Sequence, residues 1–200
     1  KRMLLSNMEL LATAPGGVAK LRELILTLAV QGKLVPQDPA DEPAGVLLQK
    51  IRAEKDRLIA EGKIKRDKPL AEIAEEDKPF ELPQGWEWVR LGVVVNASEA
   101  GWSPTCIGSP RRPGHWGVLK VSAVSWGRFD PTANKELPSE LTPKPEYEVK
   151  DGDFLLSRAN TAELVARSVV VGVAEPQLML SDKIIRLAVS SQMNRAFLNM

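Results

Sequence analysis

The stretch Pro79–Leu91, reading PFELPQGWEWVRL, is where this chain changes character. On its N-terminal side, apolar residues recur at helical spacing. On its C-terminal side, short β-type runs are broken by frequent Gly and Pro. Inside the stretch, Pro83-Gln84-Gly85 predicts a turn, because Pro presets its own φ and Gly accepts the positive φ that turns need. Trp86, Trp88 and Leu91 then predict an aromatic entry strand that locks onto a core.

Upstream, Val18, Leu21, Ile25 and Leu28 follow a 3-4-3 spacing and predict a helix over Val18–Gln31, with the kind of stripe that coiled coils use. Gly16 and Gly17 precede it, and Gly32 is placed to end it in a left-handed conformation. After a loop holding Pro36 and Pro39, Asp41 is placed to cap a second helix, and Pro43 sits early in it, where its missing N–H costs little. That helix carries Val46, Leu47, Ile51, Leu58 and Ile59, and Gly62 ends it. Two helices joined by a proline-bearing loop suggest an αα-hairpin. Helices this short need a partner for their apolar stripes, and two readings stand: packing on the following domain, or contact with another subunit. The charged segment Ile64–Lys78 reads as an extended linker.

Downstream, strands are predicted at Gly117–Ser122, Asp153–Arg158, Ser168–Val173 and Lys183–Val189. Asp151-Gly152-Asp153 is a turn signal. Long loops surround Trp102–Gly114 and Asp130–Pro145, and loops of that length in a compact domain are often functional. The fold class is α+β: an N-terminal helical hairpin, then a mixed α/β domain with a twisted sheet.

Composition narrows the function. With 200 residues, 44% of them hydrophobic and 26% charged, the chain has material for a core and for a soluble surface. A net charge of +1 argues against bulk-charge gripping of nucleic acid but leaves room for a local basic face. One cysteine, Cys106, excludes an internal disulfide and fits a reducing, cytoplasmic setting; one histidine, His115, leaves no His-based metal site. No run approaches the ~20 apolar residues of a membrane span. The chain begins without Met and ends without a polar tail, and reads as a fragment.

No catalytic set emerges: no phosphate loop, no dinucleotide fingerprint and no nucleophile elbow. Cys106 and His115 read as two loop residues without an orienting third group, and Asp151 with Asp153 as a turn. Two segments suit nucleic acid. Ser157-Arg158-Ala159-Asn160-Thr161 follows an apolar strand. Arg158 would grip guanine or phosphate with parallel donors, Asn160 would pair an adenine edge, and Thr161 suits phosphate oxygens. The plainer alternative is a polar strand-end turn with Arg158 in a salt bridge. Lys120 and Ser122, two apart in a strand, share a face near Arg111, Arg112, His115, Trp126 and Arg128; solvated strand residues and core tryptophans are the alternative there.

Several stretches together resemble the specificity subunits of type I restriction–modification enzymes. Leu21–Val35, LRELILTLAVQGKLV, with the PQDPADEPAGVLLQKIRAEKDRLIAEGKIK that follows, is the most distinctive. PFELPQGWEWVRL comes next, then GVLKVSAVSWGRFD, NKELP, VKDGDFLLSRANTAELV and LSDKIIRL in the family's order. The similarity runs from about Leu10 to Leu187. One departure is Ala166, where the pattern has Gly, so the local turn is expected to differ.

The resemblance implies a non-catalytic module that recognises one half of a bipartite site in double-stranded DNA. It divides the chain into an extension (1–16), a conserved helical spacer and docking region (17–63), a linker (64–79) and a target recognition domain (80–200) lacking its last elements. Within that reading, residue chemistry points to DNA contacts at Lys120, Ser122, Arg158, Asn160 and Thr161, with Lys135 on phosphate, and the helices are expected to serve spacing or methyltransferase docking through Leu21, Ile25, Leu28, Ile51 and Leu58. No cofactor is expected in this chain; S-adenosylmethionine, ATP and Mg belong on the methyltransferase and endonuclease partner subunits. A helical oligomerisation adaptor with a protein-binding β-rich domain, or the recognition domain of a single-chain restriction–methylation enzyme, are the competing readings.

Overall fold

The computed structural model describes residues 13–158, 161–162 and 164–199. They form a mixture of helices and sheets, an α+β fold. The chain divides into two compact units, one running up to Lys50 and adding Pro69–Arg90, the other combining Ile51–Lys68 with Leu91 onward.

In the first unit, α1 spans Gly17–Val30. It ends as predicted. Gly32 sits at φ 65°, its N–H donates to the Ala29 carbonyl (3.0 Å), and that of Lys33 donates to the Leu28 carbonyl (2.8 Å). This is the paired closure that satisfies a helix's last carbonyls. Glycine is required twice over, since a Cβ at Gly32 would lie 2.5 Å from Pro83 Cγ. The predicted turn also forms, with Gly85 at φ 84° and the Trp86 N–H donating to the Pro83 carbonyl (3.2 Å).

The entry strand does not form. Residues 86–90 join no ladder, and Leu91 instead opens a short helix, α3 (Leu91–Val94). Trp86 donates its ring N–H to Gln37 Oε1 (2.9 Å), and Gln37 donates to the Gly32 carbonyl (2.8 Å). Trp88 packs on Phe80, ring centroids 4.8 Å apart. Trp86 thus clasps the loop that follows α1, and Trp88 is taken up by Phe80. The second helix, α2, spans Ala44–Ala60. Asp41 lies three residues ahead of it rather than at its cap. The first helical N–H, from Ala44, donates to the Gly85 carbonyl (2.7 Å), so the turn supplies the acceptor expected from the aspartate. The linker is mostly irregular but holds a 3-10 turn at Glu75–Asp77.

In the second unit, Gly62 (φ 68°) closes α2 as Gly32 closes α1, with Gly62 donating to Ile59 and Lys63 to Leu58. Two sheets make the body. The strands are β1 (Val95–Ala100), β2 (Gly117–Leu119), β3 (Val124–Ser125), β4 (Arg128–Phe129), β5 (Asn134–Glu136), β6 (Phe154–Ser157), β7 (Ser168–Val170), β8 (Leu178–Met179) and β9 (Ile184–Val189). One sheet has the order β1-β9-β6-β7, the other β5-β2-β8, and β3 pairs with β4 as a hairpin. A last short helix, α4, spans Arg195–Leu198. Leu119, Leu155, Val169, Leu178, Leu180 and Ile184 form the main core, each 0–1% exposed. All four predicted strands appear in shortened form. Gly117–Ser122 stops at Leu119, and a 3-10 turn takes Val121–Ala123. Strand β1, reading VNASEA, has no apolar alternation and is formed by pairing with β9. No helix among the described residues is long and apolar enough to cross a membrane.

Candidate nucleic-acid interface

The segment after β6 is organised by one serine. Ser157 is 2% exposed and uses every polar group it has. Its N–H donates to the Arg167 carbonyl (2.9 Å), and its carbonyl accepts from the Ala166 N–H (2.8 Å). Its hydroxyl donates to the Leu164 carbonyl (2.7 Å) and accepts from the Arg167 N–H (3.0 Å). A hydroxyl both donates and accepts, so one buried side chain can pin both limbs of a loop. The Thr161 carbonyl accepts from the Leu164 and Val165 N–H groups (2.9 and 3.0 Å), adding an inner turn. Ala166 takes φ 61°. This is the left-handed conformation that glycine takes freely and alanine resists.

Arg158 leaves this brace with its N–H donating to the Lys183 carbonyl (2.8 Å), and both side chains are exposed. No ion pair of Arg158 occurs among the described residues. Thr161 is exposed, and Asn160 lies outside the described residues. The β3–β4 hairpin reaches the same end of the sheet, because the Gly127 N–H donates to the Ser168 carbonyl (3.0 Å), one residue beyond Arg167. The turn of that hairpin is Trp126-Gly127, with Gly127 at φ 64°. Trp126 is 60% exposed. Arg158, Lys183, Trp126 and Arg128 thus share one end of the domain. Lys183 escaped the sequence reading because LSDKIIRL reads as the approach to a strand; Trp126 and Arg128 stand in it beside Lys120 and Ser122, and the alternative of a core tryptophan is not what forms at Trp126.

The second predicted group is rearranged. Lys120 ends β2 rather than lying within a strand; its N–H donates to the Ala133 carbonyl and its carbonyl accepts from the Ala123 N–H. Ser122 is exposed in the 3-10 turn, so strand alternation does not align the two. Lys135 is exposed on β5, opposite Val118, on the three-stranded sheet.

The neighbouring basic loop is occupied by structure. Arg112 clamps Glu136 with Nη2 on Oε1 (2.7 Å), Nε on both oxygens (3.1 Å) and its backbone N–H on Oε2 (2.7 Å). Those donations hold the Glu136 carboxyl down at about 2, against a burial that raises it. Arg111 donates to the His115 carbonyl and to Glu175. His115 faces Glu136 (3.5 Å), and Cys106 packs against the cluster of Val118, Leu137 and Met179, where burial pushes its thiol up. Asp151 accepts from the Ala174 N–H and Asp153 from Lys150 and Arg186, which accounts for both as turn residues. The described residues hold no cluster of His, Cys, Asp or Glu fit for a metal.

Of the residues expected to dock partners, Leu21 and Leu28 are half-buried on α1 and Ile25 is exposed; Leu58 is half-buried on α2. Ile51 is completely buried.

No family model matches the chain. Over 177 residues it is 48% identical to the type I restriction enzyme EcoEI specificity subunit of Escherichia coli, a match covering 88% of this chain and 30% of that protein. Over 75 residues it is 69% identical to the type I restriction enzyme EcoAI specificity subunit of Escherichia coli, covering 38% of this chain and 13% of that protein. The chain spans less than a third of the length of these curated relatives. Over most of its own length, then, this chain is similar to the specificity subunits of type I restriction enzymes.

Proposed function

We propose that the chain recognises one half of a bipartite double-stranded DNA site and directs the methyltransferase and endonuclease subunits of a type I restriction–modification complex to it, without catalysing a reaction itself. The carrying observation is the 48% identity across 88% of the chain with a type I specificity subunit. The exposed Arg158 and Lys183 at a pinned loop support it, because donors held on a rigid base suit base edges and phosphates. In this reading residues 80–200 are the target recognition domain, with a twisted sheet, and 64–79 the linker from the helical region 17–63, preceded by the extension 1–16. Arg158, Asn160 and Thr161 contact DNA from the loop, Lys120 and Ser122 from the 3-10 turn, and Lys135 from β5.

The helices form a hairpin that sets half-site spacing and docks the methyltransferase through Leu21, Ile25, Leu28 and Leu58. Ile51 serves by holding α2 from within. Val18, Leu24, Leu26 and Val30 of α1 are also exposed, and apolar residues left in water on a short helix call for a partner. S-adenosylmethionine, ATP and Mg reside on the partner subunits, and the complex works in the cytoplasm. Methylome sequencing of a host carrying the intact system tests the reading. A bipartite methylated motif that vanishes when this chain is deleted is expected; an unchanged methylome would overturn it.

A further inference from the structure

We propose that Trp126 is a DNA contact, an apolar wedge at the tip of the β3–β4 hairpin that packs against the bases beside the cations of the Arg158 loop. This rests on the DNA-recognition reading and adds to it a residue and a kind of contact.

The hairpin explains why the indole stands outside. Val124 pairs with Phe129 and Ser125 with Arg128, leaving Trp126 and Gly127 as a two-residue turn. The inward pair is already filled by apolar side chains: Val124 is 3% exposed, and Phe129 packs on the main core. Gly127 supplies a positive φ at the second central position of the turn, where glycine is favoured, and its N–H is tied to the Ser168 carbonyl. The tip is therefore held in place while its largest side chain stays 60% exposed. Leaving an aromatic of this size in water forgoes a large burial.

The surroundings select the partner. Tryptophan on a rigid tip suits a protein surface as well as DNA, but here Arg128, Arg158 and Lys183 are all exposed at the same end. Among the described residues, Asp130 is turned into its own loop, accepting from the Thr132 hydroxyl and N–H, and Asp182 is held by the Ser103 hydroxyl. Cations around an exposed indole match a polyanion that carries flat apolar faces, which is DNA. Apolar side chains inserted at a base step, and aromatic rings laid on bases, are established modes of contact.

The test uses the full specificity subunit in complex with its methyltransferase, and a fluorescent duplex carrying the motif that methylome sequencing defines. Affinity is measured across a salt series. Trp126→Ala is expected to weaken binding about tenfold, in the range of aromatic–base stacking, with the slope of affinity against salt unchanged, because no phosphate contact is lost. Trp126→Phe is expected to keep most of the affinity. Wild-type affinity in Trp126→Ala would overturn the proposal, as would a loss accompanied by a shallower salt slope, which would mean that the tip merely positions cations. If Trp126→Ala melts early, Trp126→Ser replaces it with the same two overturning outcomes. A wild-type complex that binds the motif no better than a scrambled duplex fails the DNA reading itself, and that result is distinct from a defect seen in the variant alone.

Discussion

Glu54, on the C-terminal half of α2, accepts a hydrogen bond from the Ser190 hydroxyl at 2.6 Å, although 136 residues separate them. The same carboxylate accepts from the Ser191 N–H and hydroxyl (both 3.1 Å) and from Asn96 Nδ2 (3.3 Å). One helical side chain thereby ties the ends of β1 and β9 to the helix within a single unit. In the sequence, Glu54 looks like a flaw in the apolar stripe that includes Leu58. The structure makes it an anchor.

Replacing Glu54 with Ala leaves Ser190 and Asn96 short of an acceptor. A loss of about 1.5–3 kcal/mol is expected, the usual range for hydrogen bonds to a charged group, read from urea unfolding. Burial raises the Glu54 pKa, but the donations from Ser190, Ser191 and Asn96 outweigh it and hold it below the ordinary value of 4.5. A depressed carboxylate adds stability above its unfolded pKa and loses it as pH falls through the folded one. The gap between wild type and Glu54→Gln is therefore expected to be full at neutral pH and to close below 4.5. A gap constant down to acid pH would contradict the anchor.

The Arg112–Glu136 clamp carries the same sign. Glu136 titrates at about 2, against an ordinary 4.5, mainly because Arg112 donates to it. Its contribution is complete above 4.5 and disappears toward 2. In Arg112→Ala, the Glu136 carboxyl observed by NMR is expected to titrate well above its wild-type midpoint. An unmoved midpoint would show that Arg112 is not the cause.

Ala166 occupies φ 61°, which costs an L residue roughly 1–2 kcal/mol relative to its right-handed form. Glycine avoids that cost but gives up some unfolded-state rigidity. Ala166→Gly is expected to stabilise the protein by about 0.5–1 kcal/mol, measured by thermal or denaturant unfolding. Destabilisation on that change would mean that the left-handed turn does not exist in solution.

Arg158→Ala is expected to weaken binding of the cognate half-site by about 1–3 kcal/mol if the guanidinium reads a base, and to relax specificity at that base. A phosphate role would instead weaken all duplexes alike and lower the salt slope by about 1. Unchanged binding across a salt titration removes Arg158 from the interface.

Local features were legible in the sequence because local rules govern them. Gly32 and Gly62 ended their helices, Pro83-Gln84-Gly85 and Asp151-Gly152-Asp153 turned, and the four apolar runs became strands. Each depends on backbone preference or on an apolar run that has to be buried, and both are properties of adjacent residues. The relationship to specificity subunits was likewise carried by the order of short motifs along the chain.

What the tertiary structure decided was everything that needed a distant partner. Trp86 became a clasp because Gln37 accepts its ring N–H, and VNASEA became a strand because β9 offered an edge. Glu54 became an anchor through Ser190, and Arg112 was drawn from a basic patch into a clamp by a buried Glu136. Arg158, Lys183 and Trp126 lie far apart in sequence, and they share one end of the domain because β6 ends where β7 and β9 begin. A hydrogen-bonding side chain takes its role from whichever group the fold brings within about 3 Å of it, and no pattern of neighbours along the chain specifies that group.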